Sequence, residues 1–352
     1  MACLSLMPLN VHFVIPERIG QILTTLEILR ANLLSPVVLA FLLGVVTKLV
    51  KSELSLPKDL YSSLSIYLLL ALGLKGGVEL SESTFQVIAW PALATVALGC
   101  ITPVSTYFIM RKLGRFGQID AAALAAHYGS VSAVTFIAAN QFVGLMGKSA
   151  EGFMPTLLTL LESPGIHIAL AIGALKRARK ITASSAQERK TKTAIFHEIL
   201  TARSMMLLVG GLIIGLLMGA KAYEPVKPFF ETGFKGALVL FLLEMGIVAG
   251  ARISDLKKVG LPLISLGLLI PVLHGSLGVA LGHWAGLSAG GATVLGTMAA
   301  SASYIAAPPA VRMTLPEANP TYYLTASLAV TFPFNLVVGI PLFFKLSEWL
   351  AG

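Results

Sequence analysis

Two short polar runs interrupt apolar stretches of the chain: Gly129-Ser130-Val131-Ser132 and Ser301-Ala302-Ser303. Their first residues lie 172 positions apart, and Pro308-Pro309 follows the second run. Lipid cannot hydrogen-bond a loose backbone, so a break at membrane depth persists only where it lines a cavity enclosed by protein. A break also leaves the first N–H groups of the following half-helix without intrahelical acceptors. That end carries roughly half a positive charge from the helix dipole. The second half-helices are predicted to start near Ser132 and near Pro308, proline being favoured at a first helical position because its missing N–H is no loss there. Backbone amides at these starts can hold a small anion together with the hydroxyls of Ser130, Ser132, Thr135, Ser301 and Ser303, and no cationic side chain is required. Gly129, Val131, Ala133, Ala302, Tyr304, Ala307 and Pro308 supply the rest of the two candidate binding segments.

Few ionisable groups accompany them. Glu162 sits mid-span beside Pro164, Glu244 lies in another apolar run, and His127, His167 and His274 are the remaining candidates. A charged carboxylate at mid-bilayer costs about 2.5–3.5 kcal/mol on insertion scales, so it faces a cavity or a partner. Glu162 can therefore bind a cation when ionised or carry a proton when neutral. Ser132, Glu162 and Ser303 form a candidate Na⁺ set, with His127 and Glu244 as further ion-coupling candidates. A histidine such as His127, two residues before Gly129, is more often a satisfied packing residue. No HExxH, GxSxG or Gly-Lys-Ser/Thr phosphate loop is present, so an enzyme is not expected and no catalytic residue is assigned.

The elements that must position these residues are membrane helices. Apolar residues make up 56% of the chain and charged residues 12%, against about 25% charged in soluble domains, and the mean hydropathy is +0.83. Ten spans are predicted, at 34–50, 59–74, 85–110, 119–146, 154–175, 204–219, 236–250, 259–285, 287–314 and 322–347. They divide the chain into an N-terminal extracytoplasmic segment (1–32), a first half (33–175), a basic linker (176–203) and a second half (204–352). With that linker cytoplasmic, 18 of the 26 Lys and Arg lie inside and both termini lie outside, as the positive-inside rule requires. Topology thus accounts for the net charge of +9, and no basic patch with interleaved aromatics points to nucleic acid. Glu17 to Arg30 reads as an amphipathic helix on the outer membrane surface or at a subunit contact. Cys3 and Cys100 suggest neither a disulfide framework nor a metal site.

The two halves are related. Trp90-Pro91 and Leu261-Pro262 are offset by 171 residues, the breaks by 172, and Pro164 and Pro333 by 169. Five spans per half is an odd number, so the second half must enter the membrane upside down relative to the first. The arrangement is an inverted repeat of five plus five helices, with helices 4 and 9 broken and their N-termini facing each other at mid-membrane. One break alone would be ascribed to small residues that let helices pack closely. Two at matching positions point to a binding site. An anion channel is the alternative from another class, but two inverted breaks within one chain suit alternating access better.

The same residues carry a resemblance. Ala121-Ala122 through Gly129-Ser130-Val131-Ser132-Ala133-Val134-Thr135 resembles a segment of the cyanobacterial sodium-dependent bicarbonate transporters. So do Ala299 to Arg312, Leu315 to Pro320 and Gly339 to Phe343; Gly73 to Gly77, Glu162 to Pro164 and Met245-Gly246 are similar more loosely. The resemblance implies a homotrimer working as an elevator, with spans 3–5 and 8–10 as mobile core and spans 1, 2, 6 and 7 as scaffold. It implies bicarbonate between the two breaks, sodium beside it, and a cytoplasmic PII-like regulator, although the linker here is short and basic. Three departures concern the site. Tyr304 stands where the family has an acid, Ala306 and Ala307 replace serine and glycine, and Ala133 and Val134 replace glycine and serine. Glu162 matches a family aspartate. The expectation is a secondary transporter in the plasma (inner) membrane that imports a small anion, bicarbonate first. Coupling is to sodium through a reduced site or to protons through Glu162, and another small carboxylate is the rival substrate.

Overall fold

The computed structural model describes residues 27, 28, 30–178 and 203–352. Most of the expected N-terminal amphipathic segment and most of the basic linker therefore lie outside the described residues. Every regular element among the described residues is helical. Helix α1 is Pro36–Leu49, started by the Ser35 hydroxyl, which accepts the Val38 N–H at 3.3 Å. Helices α2 (Lys58–Glu82) and α3 (Phe85–Lys112) follow. Then come α4 (Gln118–Tyr128), α5 (Ala133–Leu145) and α6 (Met154–Ala178). The second half holds α7 (Arg203–Tyr223), α8 (Gly233–Arg252) and α9 (Leu256–Trp284), and then α10 (Ala289–Ala299) and α11 (Ala307–Thr314). Helix α12 runs from Pro320 to Ala351 and contains two wide π-type turns, at Ala326–Thr331 and Asn335–Gly339.

Seven helical stretches among the described residues are long and apolar enough to cross a membrane. Helix α1 has only 14 residues, the expected break divides the ninth span into pieces of 11 and 8 residues, and α8 and α9 are joined through the 3-10 turn Ile253–Asp255 within a stretch of 57 residues. Side chains such as Leu217 and Leu261 are exposed, as a lipid-facing surface requires, and the chain is an integral membrane protein.

The helices pack in two groups. Helix α1 lies along α8 and α2 along α7. Both crossings are set by glycine: a Cβ on Gly44 would lie 2.1 Å from Leu243 O, and one on Gly215 would lie 2.1 Å from Leu74 O. Lipid supplies no hydrophobic drive between helices, so close backbone approach must hold such pairs. In the other group, α3 and α4 pack on α6, and α10 packs on α9 and α12. There α10 meets α5, which joins the broken helices. The most apolar window of 118–145 is 94% buried, against 28% for that of 206–223. The broken helix is thus the centre of the molecule and α7 its rim.

Candidate functional site

The two interruptions meet. Helix α4 ends at Tyr128, and Ser132 then takes an extended conformation (φ −97°, ψ 113°) as N-cap of α5, its hydroxyl accepting the Thr135 N–H at 3.3 Å. Serine hydroxyls compete for backbone N–H groups in this way, which favours them at helix starts over helix interiors. Helix α10 ends at Ala299, and the Asn335 carboxamide donates to Ala300 O at 2.8 Å. The Ser303 hydroxyl accepts from the Ala306 and Ala307 N–H groups at 3.3 and 3.4 Å, and Pro308 occupies the first turn of α11. Two bonds tie the segments across: Ser132 N–H donates to Ser301 Oγ at 2.8 Å, and Ser303 N–H donates to His127 O at 2.8 Å. Ser301 Oγ–H in turn donates to Met298 O at 2.8 Å. Ser130, Val131, Ser132, Thr135, Ser301, Ala302, Ser303 and Ala307 are all at most 5% exposed. The two half-helix N-termini therefore bring partial positive charge into one enclosed crossing.

The crossing is not symmetric in the way the sequence suggests. At α11, Ser303 covers two of the first amides and Pro308-Pro309 removes two more, so that end has little left to donate. At α5, the Ala133 and Val134 amides have no acceptor among the described residues. The serines divide likewise. Ser130 and Ser301 are 171 residues apart, as are Ser132 and Ser303. Ser301 Oγ is used twice, whereas Ser130 Oγ is buried with no hydrogen-bond partner among the described residues, and the Ser303 amide bonds His127 O. The donors of the candidate site are thus on the α5 side.

His127 is fully buried, with its ring stacked on Tyr323 at 4.4 Å. Its Nδ1 lies 2.7 Å from Ala123 O; a carbonyl only accepts, so Nδ1 carries the proton and Nε2 presents a lone pair. Nε2 has no hydrogen-bond partner among the described residues. Tyr304, where the resemblance implies an acid, is partly buried with its ring edge-on to Phe332 at 5.6 Å. Its enclosed hydroxyl is near the Ser132 side chain but has no partner of good geometry. Gly165 fits α6 to the break: a Cβ there would lie 1.7 Å from Gly129 O. Glu162, 5% exposed, is three residues earlier on that helix, roughly 4.5 Å along its axis.

Glu244 is not in the crossing. It lies on α8 in the other helix group, in the electrostatic surroundings of Tyr61, which also include Arg203. His274 pairs with Ser105 at 2.8 Å and joins α9 to α3. Sequence reasoning missed Asn335 and Tyr323. It also missed the buried chain from Tyr128 Oη to Thr331 Oγ1 (2.7 Å) and on to Gly267 O (2.8 Å). An amide inside the apolar run 332–344 is the signal that flags Asn335; the stacking of Tyr323 on His127 has no local signature.

Residues 36–348 match the family model of the Na⁺-dependent bicarbonate transporter superfamily. No curated protein matches the chain.

Proposed function

The chain belongs to the Na⁺-dependent bicarbonate transporter superfamily, and on that premise we propose that it is a secondary transporter importing bicarbonate with Na⁺. The observation that carries this reading is the α5 side of the crossing, where two uncapped amides, Ala133 and Val134, follow the buried, unpartnered Ser130 hydroxyl. Such a set suits an oxyanion, whose oxygens accept from amides and hydroxyls. Bicarbonate also carries one O–H donor, and His127 Nε2 is a buried acceptor one turn away in sequence. A halide has no donor to offer that nitrogen.

Na⁺ is the co-transported substrate in this reading. Ser132 Oγ accepts one backbone N–H bond and keeps a lone pair for a cation, Ser303 Oγ would have to release the Ala306 or Ala307 N–H to join it, and Glu162 supplies the charge. The neutral Tyr304 near Ser132 favours one second reading, in which Glu162 carries a proton instead.

The proposed architecture is ten spans in two inverted five-helix repeats. Exchanging the first span of each half with its counterpart, and the second likewise, turns the α1–α8 pair into α7–α2, and both pairs are present. Helices α3–α6 and α9–α12 would slide as an elevator core against α1, α2, α7 and α8, in a homotrimer in the plasma (inner) membrane. The linker would be cytoplasmic and both termini outside.

Reconstitution tests this. Labelled bicarbonate uptake into liposomes is followed with an imposed Na⁺ gradient, a proton gradient, or neither. The expectation is Na⁺-driven uptake that is lost in Ser132→Ala and Glu162→Gln. Uptake indifferent to both gradients, or unchanged in both variants, refutes coupled transport.

A further inference from the structure

A second polar feature lies away from the crossing. A cavity of about 510 Å³ opens between the two helix groups. Its walls come from α2, the turn Pro228–Thr232 and the start of α8 on one side, and from α5 on the other. It follows α5 inward from Leu145 to Ile137. Ile137 is four residues from Ala133, so at 1.5 Å per residue the cavity stops roughly 6 Å short of the uncapped amides.

Four polar side chains set its chemistry. Lys75 enters from α2 and Lys235 from α8, while Asn140 and Gln141 lie on the α5 wall. Glu231 is the acid among the lining residues, leaving one net positive charge. Neither lysine is within ion-pair distance of a carboxylate among the described residues. Asn140 and Gln141 make no side-chain hydrogen bond among them either. Lys75 interrupts an otherwise apolar run, Ile66 to Val78, and is half-buried. A lysine there would simply extend toward water if nothing met it. Here it lines one cavity together with two carboxamides whose N–H donors are unused among the described residues.

We propose that this cavity is an anion-collecting vestibule in which Lys75, Asn140 and Gln141 hold a singly charged oxyanion before it passes along α5 to the crossing. The inference rests on the transport reading and adds a second, weaker site to it. One ammonium and two carboxamides suit a small oxyanion such as bicarbonate, formate or nitrate, and the ammonium repels Na⁺. Because one wall belongs to each helix group, the site exists only while the groups stand in this relation. On the Lys/Arg topology the vestibule is extracytoplasmic, since α5 ends on the face opposite the linker.

The test uses the full chain in liposomes. Lys75→Gln is expected to raise the half-saturating bicarbonate concentration roughly tenfold, the scale of a lost hydrogen bond to a charged group, with maximal uptake little changed. Lys75→Arg should stay near wild type, and Glu231→Gln should shift half-saturation the opposite way. Lys75→Cys, made with Cys3→Ser and Cys100→Ser, gives a readout without transport. Bicarbonate and formate should slow its modification by a membrane-impermeant thiosulfonate. An attached aminoethyl group should restore affinity, and an attached sulfonatoethyl group should not. Unchanged half-saturation in Lys75→Gln, or modification indifferent to both anions, overturns the vestibule. If wild-type protein takes up no bicarbonate while the cysteine is still protected, the transport reading fails and the vestibule stands.

Discussion

Ser130 and Ser301 both lie in the breaks, yet their replacement by alanine should have opposite consequences. Ser301 Oγ accepts the Ser132 N–H and donates to Met298 O, both at 2.8 Å, inside a site where it is 1% exposed. Ser301→Ala leaves the Ser132 amide buried without an acceptor, which costs about 1–3 kcal/mol. It also cuts one of the two bonds that tie the broken helices together. Ser130 Oγ, 2% exposed, has no partner among the described residues to lose. Ser130→Ala therefore leaves the stability of the empty protein unchanged or raises it by up to about 1 kcal/mol, because a buried hydroxyl without a partner is itself a cost. The ligand separates the two further. An anion at 100 times its dissociation constant stabilises the folded state by about 2.7 kcal/mol. Thermal unfolding in detergent, with and without bicarbonate, reads both effects. Ser301→Ala should lower the midpoint without ligand, and Ser130→Ala should keep that midpoint but lose most of the bicarbonate-induced rise. Equal losses of stability in the two variants would refute the asymmetric crossing. A full ligand shift in Ser130→Ala would remove Ser130 from the site.

Gly165→Ala places a carbon 1.7 Å from Gly129 O, so α6 must retreat from the break. The expectation is a loss of about 1–3 kcal/mol in thermal unfolding and abolished uptake, with Gly210→Ala, which meets nothing within 4 Å, as the silent control. Tyr304→Asp should lower the Na⁺ concentration that half-saturates uptake, because it puts a carboxylate near the Ser132 hydroxyl; an unaltered Na⁺ response would detach Tyr304 from the cation. Asn335→Asp removes the amide that donates to Ala300 O at 2.8 Å, and should cost about 1–3 kcal/mol of stability, read as a lower unfolding midpoint. Tyr128→Phe, which breaks the 2.7 Å bond to Thr331, should cost about 1 kcal/mol without altering half-saturation.

The all-helical class, the place of both breaks, the serine N-cap at Ser132 and the proline start at Pro308 were legible in the residues themselves. Each depends on interactions within about four positions along the chain: apolar runs, hydroxyls that compete for nearby amides, a ring that cannot donate. The family followed from the same segments. Which hydroxyl is satisfied was not legible. Ser130 and Ser301 look alike in sequence, and only the docking of 301–303 against 127–132 gave one of them two bonds and the other none. The silencing of α11 by Ser303, the seating of Gly165 on Gly129 and the placing of Lys75, Asn140 and Gln141 around one cavity were likewise decided in space. In a bilayer, helices associate through close contacts between small residues, which carry no hydrophobic period to read. Local hydrogen-bond competition is written along the chain, whereas the partner of a buried polar group 169 residues away is fixed by how the helices cross.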